Sequence, residues 1–293
     1  MGKIFQIPAR EVIDKYGYQI RHIYSSYDET SEFLVVDSIQ GSKLVFPRKT
    51  NMQMLYGMLV FGCWRPRETE FIRRIIREGM VVIDVGAYVG YFTMLFSKLV
   101  GSKGRVIAFE PWKEWLHLCE ISQKLNDYKN IEFYNLFVSN TCGRERFDED
   151  DMMSSISGSR EVETSTIDSI VSGRVDFIKI DAEGFEPEVI AGMKRVVKQN
   201  PNLVILMDDY SELWGRRGIT PQMVKNILNN VDINAYIMNN FDDYTKKNFD
   251  ELVFRCDPKS SMEDIRRSIA VNRTTLILCN NINNIIPLVN KNV

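Results

Sequence analysis

The stretch Val81-Val82-Ile83-Asp84-Val85-Gly86-Ala87-Tyr88-Val89-Gly90 decides the fold. A run rich in β-branched residues closes on a small-residue turn, and a segment of helical character begins near Tyr91. Such an apolar run suits a strand buried on both faces of a parallel sheet. Gly86 permits a tight turn, and Gly90 permits close approach of the next helix to the strand or to a ligand. The spacing Asp-x-Gly-x-x-x-Gly is not the Gly-x-Gly-x-x-Gly fingerprint of a pyrophosphate-binding turn. A carboxylate at the turn would repel a pyrophosphate but suits a ligand carrying an ammonium or sulfonium group.

Working outward, further buried strands are expected at 80–85, 105–109, 131–138, 175–180 and 203–207, with later ones at 235–238 and 275–279. Helical segments alternate with them. After Pro187 the apolar residues Val189, Ile190, Met193, Val196 and Val197 follow a helical period, which Asn200-Pro201 ends. Alternation of this kind predicts right-handed crossovers and a doubly wound, Rossmann-like α/β sheet of seven mostly parallel strands. Residues 1–60 carry short alternating runs around Gly41-Ser42 and are expected to form a β-rich extension, leaving 61–293 as the main domain. The Asn-rich tail 280–293 is expected to be loosely held.

Composition narrows the function classes. The 293 residues are 44% hydrophobic and 26% charged, enough apolar content for a sizeable core. A net charge of −2 gives no global basic field, so nucleic acid is not an expected partner. The longest uncharged run, residues 50–64, is 15 residues and is too short to span a bilayer. No apolar leader is evident, and five scattered cysteines without a Cys-x-x-Cys pair read as thiols of a reducing compartment. Cytoplasmic residence is the expectation.

Ligands of doubly wound sheets sit at the carboxyl ends of the strands, and here those ends are acidic. Glu110, 26 residues after Asp84, follows the second strand and is placed to accept both hydroxyls of a ribose. Lys179-Ile180-Asp181-Ala182-Glu183-Gly184 ends the fourth strand. An extended chain would put Asp181 and Glu183 on one side. Crowding raises carboxylate pKa values, which suits a general base; the alternative for Glu183 is to cap the next helix. His22 and His117 read as surface or packing residues.

The blocks Gly79–Ala87, Gly90-Tyr91-Phe92-Thr93, Ala108-Phe109-Glu110-Pro111, Thr164-Ser165-Thr166-Ile167-Asp168 and Val175–Glu186 resemble the FkbM family of S-adenosylmethionine-dependent methyltransferases. The likeness covers roughly residues 64–210. It implies a class I methyltransferase fold, with Asp84, Gly86, Ala87 and Gly90 around the methionine half of the cofactor and Glu110 on the ribose. It also implies that backbone near Val138 and Ser139 meets the adenine and that Glu68 faces the cofactor's amino group. Tyr88 departs from the family pattern, which has Asn at that place. The resemblance further implies methyl transfer to an oxygen, on a sugar, glycan or other polyhydroxylated small molecule.

The fifth strand ends in Asp208-Asp209-Tyr210, where the family has a single Glu. With Asp181, this acidic set resembles the magnesium site of catechol-type O-methyltransferases, so Asp181, Asp208 and Asp209 are candidate ligands for Mg²⁺. Arg65, Arg67, Arg73, Arg74 and Arg77 precede the first strand of the core. A solvated helix face is the expected reading; a phosphate contact of a nucleic acid methyltransferase is the alternative, and Tyr88 leaves open a non-catalytic binding protein on a decayed fold.

Overall fold

The computed structural model describes residues 33–47, 52–147, 159–240, 243–246 and 274–285. His22, Cys256, residues 1–32 of the extension and the tail beyond 285 lie outside the described residues.

Among the described residues, eight strands form the main sheet. The first-read strand is β3 (Val81–Val85), preceded by the hairpin β1 (Phe33–Asp37) and β2 (Lys43–Pro47). Then follow β4 (Arg105–Phe109), β5 (Ile131–Tyr134), β6 (Phe137–Val138), β7 (Gly143–Phe147), β8 (Arg160–Ser165), β9 (Phe177–Ile180), β10 (Val204–Asp209), β11 (Asn234–Asn240), β12 (Asp243–Lys246) and β13 (Thr274–Cys279). The main sheet runs β12-β11-β13-β10-β9-β3-β4-β5. Its half from β10 to β5 is parallel throughout, while β13 pairs antiparallel with both β10 and β11. The seven strands expected from the sequence are present, and β12 adds an eighth at one edge. A smaller sheet, β6-β8-β7, stands beside it. The expected strand 131–138 is therefore broken: β5 stays in the main sheet, and β6 leaves it to pair with β8.

The helices are α1 (Met52–Phe61), α2 (Pro66–Ile75), α3 (Tyr91–Val100), α4 (Lys113–Leu125), α5 (Ile167–Ile170), α6 (Glu186–Ala191), α7 (Lys194–Gln199), α8 (Ser211–Arg216) and α9 (Pro221–Val231). Among the described residues no helix is long and apolar enough to cross a membrane. The helix read from Pro187 to Asn200 is divided at Gly192. A Cβ there would lie 2.2 Å from the Ser139 carbonyl oxygen, so the chain comes too close to β6 for any larger residue.

Alternation along the parallel strands divides the interior in two. Ile83, Val85, Ile107, Phe109, Ile178, Ile180, Ile205 and Met207 pack with Val189, Val196, Trp214 and Leu228 from α6–α9. Val82, Val106, Ala108, Phe177, Val204 and Leu206 face the other way, toward α2, α3 and the β1–β2 hairpin (Phe71, Phe96, Leu44, Phe46). The hairpin thus shares one apolar core with the sheet, and burial of its Leu44, Val45 and Phe46 ties it to the rest.

Candidate active site

The same alternation aims the acidic strand ends. Val82 and Ala108 face the α2–α3 side, so two residues further on Asp84 and Glu110 leave on that side as well. Phe177 is followed by Lys179 and Asp181, and Leu206 by Asp208, on the same face. In the parallel register Asp84 lies opposite Lys179, and Lys179 opposite Leu206. The charged groups of β3, β9 and β10 thus gather in a band at the carboxyl end of the sheet, Asp84 level with Lys179 and Asp208 two residues beyond Leu206.

At the β3–β4 end the turn after Asp84 has positive φ at Gly86 (82°), Tyr88 (52°) and Gly90 (87°). A Cβ on Gly86 would lie 2.0 Å from the Asp181 carbonyl oxygen, and one on Gly90 would lie a tight 3.1 Å from Cys119 Sγ of α4. The amides of Gly86 and Ala87 both donate to the Phe109 carbonyl. Asp84 is buried; its Oδ2 accepts from Thr93 Oγ1 at 2.5 Å, while its Oδ1 is buried without a hydrogen-bond partner among the described residues. Burial raises the Asp84 carboxyl above its usual range, with Lys179 and Thr93 pulling the other way. Glu110 accepts from the Tyr88 amide at 2.7 Å and the Trp112 amide at 3.0 Å. Burial nonetheless pushes it up to about 8. The Tyr88 ring packs on Trp115 at 4.8 Å between centroids, and the left-handed backbone of a tyrosine costs about 1–2 kcal/mol.

The β9–β10 end is held by cations. Arg65, at the junction of α1 and α2, reaches Asp208 Oδ2 at 2.5 Å and Asp181 Oδ2 at 3.0 Å, with only 8% of its side chain exposed. Lys179 Nζ lies 3.4 Å from Asp181 Oδ2 and 4.7 Å from the centroid of the Phe92 ring. Tyr210 donates its hydroxyl to Asp181 Oδ1 at 2.8 Å. Neither Arg65 nor Lys179 was among the site residues expected from sequence. Both left a trace there: Arg65 precedes Pro66, which occupies the first helical turn, so it stands outside the amphipathic helix. Lys179 is the one charge in a buried four-residue strand.

The Mg²⁺ expectation is corrected by this arrangement. The guanidinium bridges Asp181 and Asp208, so two of the three candidate ligands are joined by an organic cation. Asp209 points to the opposite side of β10 by period two, and its Oδ1 accepts from the Ser211 amide at 3.1 Å, starting α8. No group of three or more acidic, His or Cys side chains suited to a metal occurs among the described residues. These residues do not fit a divalent cation. The arginine reading is corrected at Arg65, which turns inward; Arg67, Arg73 and Arg77 are exposed, and Arg73 and Arg74 pair with Glu70 along α2. His117 is exposed on α4, as expected.

The structure brings Asp84, Gly86, Ala87, Gly90 and Glu110 around one turn. Glu68 accepts from Thr275 Oγ1 at 2.9 Å, at the β13 side. Val138 is buried with the α6–α9 core, and the Ser139 amide donates to the Ser165 carbonyl in the small sheet. The chain after Asp181 does not stay extended: Glu183 has φ 49° and Gly184 103°. Glu186, the first residue of α6, accepts from the Ala182 and Gly184 amides and from Trp214 Nε1, and so ties the turn before the helix to α8.

Strand order and acidic strand ends together define a class I methyltransferase. A family model described as the Methyltransferase FkbM domain matches residues 84–238, more than half the chain, and the protein belongs to that family. Among solved structures it is similar to methyltransferase FkbM from Methylobacillus flagellatus KT, at 16% identity and a TM-score of 0.43, covering 77% of this chain and 54% of that one. It is also similar to an O-methyltransferase from Bacillus cereus in complex with SAH (14%, TM-score 0.42, 73% and 80% covered). A third is Trm5b from Pyrococcus abyssi (13%, TM-score 0.42, 86% and 56%). The chain thus spans little more than half the length of two of these three. No curated protein matches it.

Proposed function

We propose that this methyltransferase transfers a methyl group from S-adenosylmethionine to an oxygen of a sugar, glycan or other polyhydroxylated small molecule. The observation that carries the cofactor half is the buried Asp84 Oδ1, without a hydrogen-bond partner among the described residues, beside a turn of alternating positive φ. An ammonium is the ligand group that such an oxygen accepts best. When bound, S-adenosylmethionine supplies an electrophilic methyl on a sulfonium. Asp84, Gly86, Ala87 and Gly90 would hold its methionine half and Glu110 its ribose.

An alcohol needs its proton removed as the methyl arrives. Asp181 is our candidate to receive it, directly or through the Tyr210 hydroxyl bonded to its Oδ1. Glu183, in the turn beyond, is the second candidate. The small-acceptor reading is favoured over a nucleic acid because Arg65 is committed inward and Arg74 to Glu70. Cytoplasmic residence belongs to the same reading and is supported by the free thiols Cys63, Cys119, Cys142 and Cys279. The test is transfer of labelled methyl from S-adenosylmethionine to panels of glycans, polyols and oligonucleotides. Labelled glycan or polyol, abolished in Asp181→Asn, is the expected result; label in the oligonucleotides alone would overturn the acceptor assignment.

A further inference from the structure

We propose that Arg65 is the resident cation of the acceptor end: its guanidinium stands between Asp181 and Asp208 in place of a divalent metal and acts there as a positioning residue for Asp181 and Tyr210. The inference rests on the methyl-transfer reading above for what the site does, but its metal test is independent of that reading.

Four observations carry it. The fork of one guanidinium is shared between two carboxylates on adjacent strands, 3.0 and 2.5 Å away, and planar bidentate pairing of this kind is what arginine offers over lysine. Asp181 is then bonded on both oxygens, Oδ2 by Arg65 and Lys179 and Oδ1 by Tyr210, so its orientation and that of the phenol are fixed together. A divalent ion at Asp181 and Asp208 would have to displace one buried cation and lie close to a second. Arg65 Nε is buried without a hydrogen-bond partner among the described residues, a donor that a bound acceptor oxygen could satisfy.

The delivery of the arginine is also built in. Its backbone is left-handed (φ 48°, ψ 75°) at the N-cap of α2, and its carbonyl accepts the Thr69 amide. Thr69 Oγ1 donates in turn to the Trp64 carbonyl, and the guanidinium lies 5.8 Å from the Trp64 ring centroid. The turn before α2 therefore aims one side chain at the carboxyl end of β9 and β10.

The experiment uses Mn²⁺ as a paramagnetic probe, read by electron paramagnetic resonance of the free ion, on the full chain with and without S-adenosylmethionine. Wild type is expected to show no Mn²⁺ site that Asp208→Asn removes. Arg65→Ala is expected to gain a site that Arg65→Ala/Asp208→Asn loses. A purely structural arginine would give no such gain. An Asp208-dependent Mn²⁺ site in wild type overturns the proposal, and so does a folded Arg65→Ala that binds no Mn²⁺. Should Arg65→Ala fail to fold, the wild-type and Asp208→Asn titrations still decide. Calorimetric titration of S-adenosylmethionine into the same samples separates the two readings: loss of cofactor binding in wild type would remove the proposed function and leave the metal result standing.

Discussion

The two ends of the charged band are built differently. At the β3–β4 end, Asp84, Gly86, Tyr88 and Gly90 come from one turn, and Glu110 joins through the Tyr88 amide, 22 residues away. At the β9–β10 end, Asp181 and Asp208 are tied by an arginine 116 and 143 residues away in sequence. One end holds a buried carboxylate oxygen without a partner among the described residues; the other pairs its carboxylates with cations. On the reading proposed above the first receives its cation from the cofactor, whereas the second carries its own. Local sequence can encode the first arrangement, whereas the second exists only once the chain has folded.

The largest effect is expected where the two ends touch. Gly86→Ala would place a Cβ 2.0 Å from the Asp181 carbonyl at φ 82°, so destabilisation above about 4 kcal/mol is expected in urea unfolding. A mild effect would break the claim that the ends are in contact. Arg65→Met comes next. It leaves Asp208 buried and Asp181 largely so, without their guanidinium, and should cost about 3–5 kcal/mol. Arg65→Lys should recover part of this, because it restores charge but not the fork. Equal stability of wild type and Arg65→Met would erase the difference between the ends.

Glu186→Gln sharpens the β9–β10 end. Above about pH 8, where the carboxyl is ionised and accepts on both oxygens, it sets an amide NH₂ against donors from Ala182, Gly184 and Trp214, and a loss of about 1–3 kcal/mol is expected. Burial pushes the Glu186 carboxyl up to about 8 from an ordinary 4.5. The folded protein therefore holds this proton more tightly than the unfolded chain. Its contribution is fully present below about 4.5 and is lost as pH rises to about 8. The Gln variant should lack that share of the slope, while Glu110, also near 8, keeps its own. The smallest effect is expected from Tyr88→Asn. Asn tolerates the left-handed backbone, but the ring contact with Trp115, about 0.5–1.5 kcal/mol, is lost. Net stability should move by less than about 1 kcal/mol in the same urea assay.

What was legible in the sequence follows the same division. The parallel strands and the glycine turn after Asp84 could be read because a buried strand and its turn are written in consecutive residues. The split of 131–138 could not, since β6 turns aside to pair with β8. The break at Gly192 arises from a carbonyl of Ser139, remote in sequence. Proximity in sequence groups Arg65 with the helix arginines although Pro66 places it outside the helix, and Asp181, Asp208 and Asp209 read as candidate metal ligands because the cation that joins the first two lies far upstream. Lys179 could have corrected the reading: a charge inside an apolar strand needs a carboxylate, and Asp181 lay two residues away.

The central claim is that Asp84 awaits the cationic half of S-adenosylmethionine. Calorimetric titration of S-adenosylmethionine into wild type and Asp84→Asn, each first shown to be equally folded by circular dichroism, tests it most directly. Micromolar binding by wild type, weakened about tenfold or more in Asp84→Asn (about 1.4 kcal/mol), is the predicted result. Equal affinity in both proteins, or no binding by wild type, would contradict it.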